Sequence, residues 1–193
     1  MTNILNLLSS NKDFPNYQAE RRIDIFINYF ISRILTKYLG VETEFICPEF
    51  PLKKAEGNQS TKLDYLCKTE KEIIFVELKT DAISFKESQA MIYLNCKWLQ
   101  CVEDLKQIIE SQKLNSYKIK YKKLQDKINP ISLDEFPIRV IYLSPFPNEN
   151  KTKKIKIETP ISFQSLKFDM TIEEKIVWEH LSNLGLNVFE IKK

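Results

Sequence analysis

Two carboxylates and one lysine fall close together in the middle of the chain. Asp64 lies in the segment 63–67, and Glu77 and Lys79 end the apolar run 73–79. Two carboxylates suit Mg²⁺, or Mn²⁺ in its place, because Mg²⁺ is a hard cation that keeps several waters and takes few protein oxygens. Such an ion polarises a phosphate and lowers the pKa of a water, while a nearby lysine orients that water or stabilises developing charge. The three residues therefore predict metal-assisted attack on a phosphodiester.

Charges at this point of the sequence need an explanation. The run 73–78 is apolar at both alternating sets of positions, which is typical of a strand buried on both faces, and Glu77 and Lys79 interrupt it. An ionised side chain there is costly unless it is paired or bound to an ion. An ordinary strand-end salt bridge between Glu77 and Lys79, with Asp64 solvated, is the alternative. The three residues alone leave both interpretations open.

Strand pairing decides whether the three side chains share a face. If a hairpin turn is centred on Thr69 and Glu70, Asp64 lies opposite Phe75, and Glu77 lies diagonal to it on the same face. Lys79 follows two residues later on that face. A one-residue slip in register would separate them. The shared site is therefore a prediction that depends on the register.

Hydrophobic periodicity predicts the elements around these strands. A helix is expected over 17–39, ended by Gly40, followed by a strand over 41–50 and a polar loop over 51–61. Ser84 and Glu87 have capping-box spacing and open one long helix. Its expected apolar stripe consists of Met91, Trp98, Val102, Leu105 and Ile109.

The second half of the chain begins with a basic segment. The region 113–127 carries Tyr117, Tyr121 and Asp126 among the lysines Lys113, Lys118, Lys120, Lys122, Lys123 and Lys127. These lysines could track phosphates while the tyrosines stack on bases, or they could form a solvated helix face.

The remaining pattern predicts four elements. They are a buried strand over 138–143, an edge strand over 151–158, a helix from the Thr171 and Glu174 capping box to about Leu184, and a final strand over 187–191. The order α-β-β-β-α-β indicates an α/β fold, a mixed central sheet with flanking helices and a C-terminal extension.

Asp64 followed after a hairpin by Glu77-Leu78-Lys79 resembles the PD-(D/E)xK nuclease superfamily, which has this core order. Leu63 stands where many members have proline. Gln89 and Tyr93 on the following helix are similar to the Gln-x-x-x-Tyr motif of the RecB-like branch. The resemblance covers roughly residues 20 to 143. It implies a restriction-endonuclease-like core.

The resemblance also implies roles for individual residues. Asp64 and Glu77 would hold the metal, the Leu78 carbonyl would add an oxygen, and Lys79 would assist the attacking water. Gln89 and Tyr93 would help position the site. A first-helix glutamate often joins the metal in this family, and Glu20 is the candidate; a plain first-turn glutamate favoured by the helix dipole is its alternative.

The length and composition of the chain are consistent with this resemblance but give no separate support for it. The chain has 193 residues, 43% hydrophobic content, 28% charged content and a net charge of +3. One domain is expected over 1–193, with its core at roughly 17–144. The extension 145–193 could complete the fold, form a homodimer interface or bind nucleic acid.

The cysteines and the apolar segments set the expected environment. The thiols of Cys47, Cys67, Cys96 and Cys101 form no Cys-x-x-Cys pair, so we expect buried, reduced side chains. No apolar run approaches the length of a membrane span, and the N-terminal residues lack a basic region, so a cytoplasmic protein without a membrane partner is expected.

The sequence thus favours a Mg²⁺-dependent nuclease with nucleic acid, DNA before RNA, as its partner. A catalytically inactive protein of the same fold that binds nucleic acid or protein is the main alternative. A third interpretation is a partner-binding α/β protein in which Asp64, Glu77 and Lys79 are structural.

Overall fold

The computed structural model describes residues 19–53, 60–79, 85–131, 135–144 and 161–183. These residues form an α/β structure with a five-stranded mixed sheet in the order β1-β2-β3-β4-β5 and flanking helices. The strands are β1 (Glu44–Lys53), β2 (Ser60–Lys68), β3 (Ile73–Leu78), β4 (Ile138–Ser144) and β5 (Ile161–Ser162). The helices are α1 (Ala19–Leu39), α2 (Glu87–Asn95), α3 (Trp98–Ser111), α4 (Asn115–Ile128) and α5 (Ile172–Asn183). Among the described helices, none combines the length and the apolar character needed to cross a membrane.

The chain divides into two compact units. The first, here called the helix-pair unit, comprises Met1–Glu42, Glu77–Lys86 and Ile141–Lys193. The second, the hairpin unit, comprises Thr43–Val76 and Glu87–Val140.

The hairpin unit is built on antiparallel pairing of β1 with β2 and of β2 with β3. β1 contains Pro48 and Pro51, and it lies at the edge of the sheet, where a residue without a backbone donor is tolerated. Its pairing with β2 shifts between Phe45 and Cys47, as at a β-bulge. The predicted loop over 51–61 is therefore too long, because Pro51–Lys53 and Ser60–Thr61 belong to strands.

The turn between β2 and β3 corrects the predicted register. Leu66 pairs with Phe75, and Tyr65 pairs with Val76, so the expected pairing of Asp64 with Phe75 is wrong by two residues. The Thr69 amide donates to the Glu72 carbonyl, and the Thr69 hydroxyl accepts from the Lys71 and Glu72 amides. This moves the turn one residue toward the C-terminus. A shift of two residues leaves every side chain on the face that was predicted.

The single long helix predicted from Ser84 is wrong, since α2 ends at Asn95 and α3 begins at Trp98. The break explains the burial of the predicted stripe: Trp98, Val102 and Leu105 are buried on α3, whereas Met91 on α2 is exposed. Ser84, the proposed cap, lies outside the described residues.

The hairpin unit packs its helices around aromatic side chains. Trp98 lies against Phe50 of β1, and its indole N–H donates to the Ile131 carbonyl at 2.8 Å. The basic segment forms α4, which a short 3₁₀ turn at Asn129–Ile131 ends. Lys127 of α4 donates to the Ile46 carbonyl of β1.

In the helix-pair unit, α1 packs on α5. The α1 helix ends as predicted, because Gly40 adopts φ 69° and its amide donates to the Thr36 carbonyl. Phe30 of α1 contacts Trp178 of α5 edge to face, and the Arg33 guanidinium of α1 makes two hydrogen bonds to Glu174.

The predicted capping box at the start of α5 is confirmed. Glu174 accepts from the Thr171 amide, and the Thr171 hydroxyl accepts from the Glu174 amide.

The C-terminal strands complete the sheet. The predicted strand over 138–143 is confirmed as β4, which pairs in parallel with the two-residue β5, a strand that the sequence did not predict. The predicted strands at 151–158 and 187–191 lie outside the described residues.

Candidate functional site

Glu77 and Lys79 form a buried ion pair at the end of β3. All six residues of β3 are buried. Glu77 keeps 3% and Lys79 keeps 8% of its accessible surface, and the Lys79 Nζ lies 2.7 Å from Glu77 Oε1. The salt bridge that was the alternative to a metal site is therefore present, but it is buried and is not an ordinary solvated pair. Breaking a pair at this depth is far more costly than breaking one in solvent.

Backbone pairing holds the Lys79 end of this site. The Lys79 amide donates to the Leu143 carbonyl of β4 at 2.9 Å. This hydrogen bond fixes the backbone of Lys79 against β4. β3 itself ends at Leu78, one residue before the predicted end at Lys79. Lys79 lies two residues beyond Glu77, so both side chains project to one side, as the alternation of a strand requires.

Asp64 lies on β2 in the hairpin unit and is half-buried. The last described pair of the β2–β3 ladder is Tyr65 with Val76. Asp64 is the residue before Tyr65, and Glu77 is the residue after Val76. That the two carboxylates share an ion stays a prediction.

Gln89 and Tyr93 are joined by a hydrogen bond on one face of α2. The Gln89 amide nitrogen donates to the Tyr93 hydroxyl at 2.7 Å, and that hydroxyl donates to the Lys62 carbonyl at 3.3 Å. Tyr93 is fully buried and lies edge to face against Phe75. The contact anchors α2 to β2 two residues before Asp64, so the pair can position that segment of the strand.

The two remaining predicted ligands differ in what the structure shows. Leu78 is buried and is the last residue of β3. Glu20 lies in the first turn of α1, but its side chain lies outside what is described. Their roles as metal ligands stay predictions.

The donor set of this region fits a small, hard cation. No group of three or more His, Cys, Asp or Glu that could hold a metal ion occurs within the described ranges. Two carboxylates are fewer than three, so that finding does not apply to them. Mg²⁺ commonly takes only one or two carboxylates and keeps its waters. Asp64 and Glu77 supply oxygen donors of this kind.

The α4 helix carries an exposed basic surface in the hairpin unit. Its lysines from Lys118 to Lys127 are exposed, as is Lys113 before it. Tyr117 is also exposed, and the Lys120 ammonium lies over its ring, whereas Tyr121 is half-buried. This surface offers cations and one aromatic face together, which is the combination that single-stranded nucleic acid binds.

Sequence reasoning missed two polar groupings. Arg33 and Tyr29 both bind Glu174, and hydrogen bonds from Arg33, the Thr171 amide and Tyr29 lower the pKa of Glu174 to about 2. The spacing of the Thr171 capping box identified Glu174, but nothing local linked it to α1. The second grouping is the thiols of Cys96 and Cys101, which line one cavity in the hairpin unit.

The described residues thus supply a buried Glu77–Lys79 pair, a half-buried Asp64 on β2 and a Gln89–Tyr93 pair anchored beside it on the same strand. No protein-family model, no curated protein and no solved structure matches the chain.

Proposed function

We propose that this chain is a metal-dependent nuclease of the PD-(D/E)xK type that hydrolyses phosphodiester bonds, with DNA as the preferred substrate. The observation that carries the proposal is the buried Glu77–Lys79 ion pair at the end of a strand that is otherwise wholly apolar. A structural ion pair rarely lies so deep, because desolvation of both charges opposes it. Catalytic carboxylates and lysines are held in such places so that their charge acts in a low dielectric.

Each residue has a distinct part in this proposal. Asp64 and Glu77 would hold Mg²⁺ or Mn²⁺, with the Leu78 carbonyl and Glu20 as additional oxygen donors. When bound, the ion would polarise the scissile phosphate and lower the pKa of a water. The Lys79 ammonium would donate a hydrogen bond to the attacking water or to the phosphate oxygen on which charge develops. Gln89 and Tyr93 would keep β2 in place beneath Asp64.

The described ladder of the hairpin ends at the pair of Tyr65 with Val76, so Asp64 and Glu77 are the next residues along their strands. That both carboxylates hold the same ion is part of the proposal.

Cleavage assays on the full chain test the proposal directly. Supercoiled plasmid, single-stranded DNA and RNA are incubated with Mg²⁺ or Mn²⁺, and with chelator as the blank. We expect cleavage that requires the ion and falls by at least about 10²-fold in Lys79→Ala and in Asp64→Asn, in line with the removal of one charge-stabilising group.

A control variant tests whether loss of any paired charge next to this strand abolishes cleavage, and circular dichroism of every variant shows whether it is folded, because loss of Lys79 from a buried pair also lowers stability. Glu72 precedes β3 and forms an ion pair with Arg139 at 2.9 Å, so Glu72→Gln removes a paired carboxylate near the opposite end of the same strand. It should leave cleavage unchanged. Equal activity of Lys79→Ala and the parent chain, or no cleavage of any substrate by the parent, would overturn the nuclease proposal.

A second candidate function is nucleic-acid binding without cleavage, which the exposed lysines of α4 favour. Charge-matched variants test it. Lys118→Gln, Lys122→Gln and Lys123→Gln combined should weaken binding to single-stranded DNA and lower the salt slope by about 0.7 for each phosphate that the variant no longer neutralises. Lys37→Gln, Lys167→Gln and Lys175→Gln combined remove the same charge at exposed sites of the other unit. If both triple variants weakened DNA binding equally, the net charge of the protein and not the lysines of α4 would determine the affinity.

A further inference from the structure

The helix break between α2 and α3 brings two cysteines together. The cap residue of α3 is Lys97, so Cys96 stands immediately before the cap and Cys101 is the fourth residue of the helix. Side chains at these two positions meet across the first turn of a helix, the arrangement known as a hydrophobic staple. The Cys101 amide donates to the Lys97 carbonyl at 3.0 Å, which closes that turn. Here the staple is made of two thiols.

Cys96 and Cys101 both line a cavity of about 580 Å³ in the hairpin unit. Its lining includes Cys96, Cys101, Met91, Lys53, Lys97 and Asp104. Cys96 is half-buried, in contrast to Cys47 and Cys67, which are buried in the strands of the same unit. A small polar oxidant can therefore reach the Cys96 sulfur, while the strand thiols are shielded.

The environment of the two thiols divides their roles. The Cys96 thiol donates to the Ile92 carbonyl at 3.1 Å. The interaction between the two thiols lowers the pKa of Cys96 and raises the pKa of Cys101, while burial and the charge of Asp104 oppose the lowering at Cys96. Burial raises the pKa of the Cys47 thiol to about 12 and raises that of Cys67 as well. Cys96 is half-buried whereas Cys101 is buried, so peroxide reaches the Cys96 sulfur first. Because the thiolate is the reactive form, we assign Cys96 as the nucleophile of the pair.

We propose that Cys96 and Cys101 form a peroxide-reactive dithiol site, in which Cys96 is oxidised first and Cys101 resolves it to a disulfide. The Cys96 thiolate attacks one oxygen of hydrogen peroxide, the O–O bond breaks, and a sulfenic acid and hydroxide form, the hydroxide leaving as water once it takes a proton. The Cys101 sulfur, losing its proton, then attacks the Cys96 sulfur. The S–S bond forms, the S–O bond breaks, and a second water leaves. Two thiols lose two electrons, and one peroxide becomes two waters.

Peptide mapping of the native full chain tests the site. The reduced protein is treated with hydrogen peroxide, quenched with catalase, unfolded in the presence of the alkylating agent and digested with trypsin. Cleavage after Lys97 separates the two cysteines into the peptides 87–97 and 98–106, so a disulfide between them links two fragments that a reductant releases. We expect this link to form on the order of tenfold or more faster than any loss of the Cys47 or Cys67 thiol.

Variants separate the nucleophile from the resolving thiol. In Cys101→Ser, Cys96 should be trapped as a sulfenic acid by dimedone, whereas Cys96→Ser should give no dimedone adduct at Cys101. Cys47→Ser is the matched control and should keep the link. Free thiols at both Cys96 and Cys101 after oxidation, or a link that forms only in urea, would overturn the proposal.

Discussion

The pair formed by Glu77 and Lys79 shows how depth changes the consequence of losing one charge. Exposed ion pairs contribute about 1 kcal/mol or less to stability. In a buried pair, each charge has lost its hydration, and removal of one leaves the other buried without the partner that compensates it. The side chains of Glu77 and Lys79 keep 3% and 10% of their accessible surface, so they belong to the second class.

We therefore expect Lys79→Met to lower the free energy of unfolding by about 3–5 kcal/mol. The double variant Glu77→Gln with Lys79→Met should lose much less than the sum of the two single changes, because both charges are then gone. Urea unfolding of all three variants at neutral pH gives the coupling energy.

The control uses the half-exposed pair of Arg139 and Glu72. Arg139→Met should cost about 1 kcal/mol or less. Additive effects at Glu77 and Lys79 would contradict the coupling that burial predicts.

Much of this residue-scale arrangement could be predicted from the sequence. Alternation placed Glu77 and Lys79 on one side, and their contact confirms it. The register could not be predicted correctly, because the Thr69 hydroxyl caps two amides and moves the turn by one residue. Side chains kept their faces because the resulting slip is an even number of residues.

Helices whose ends carry recognisable capping residues were the easiest to predict. Gly40 ends α1 in the left-handed region that glycine adopts at low cost, and Thr171 with Glu174 opens α5. The break between α2 and α3 has no glycine or proline to mark it, so the long helix was predicted through it. A strand of two residues such as β5 carries too little pattern to be recognised at all.

The contact between α1 and α5 should depend on pH through Glu174. Hydrogen bonds from Arg33, the Thr171 amide and Tyr29 lower the pKa of Glu174 to about 2 in the folded protein, while an unperturbed Glu titrates near about 4.3. The folded form therefore binds this proton less readily than the unfolded chain does. The stability that Glu174 contributes is complete above the unfolded pKa and is lost as pH falls toward 2.

Glu174→Gln should thus be less stable than the parent at pH 7, with a difference that shrinks between about pH 5 and pH 2. Urea unfolding midpoints of both proteins across this range measure it. Glu173→Gln is a suitable control, since Glu173 is exposed in the same helical turn. A difference that stays constant with pH would contradict the role of the charge.

For the molecule as a whole, the sheet order predicts where backbone protection is strongest. β3 lies at the centre of the order, all six of its residues are buried, and it contains Glu77 of the ion pair. α4 is the opposite case, because most of its residues are exposed. Amides open by local unfolding where few buried contacts hold them, and by larger unfolding where many do.

We expect the amides of Ile73–Leu78 to exchange with deuterium last, close to the rate set by global unfolding, and those of Asn115–Ile128 to exchange first among the described helices. Hydrogen exchange followed by mass spectrometry on the full chain measures both. Lys79→Met should speed the exchange of β3 in proportion to its loss of stability, because the amides of a central strand are released only when the whole sheet opens. If β3 exchanged as fast as α4 in the parent chain, the central strand could not hold Glu77 and Lys79 rigidly enough to serve as a preorganised site.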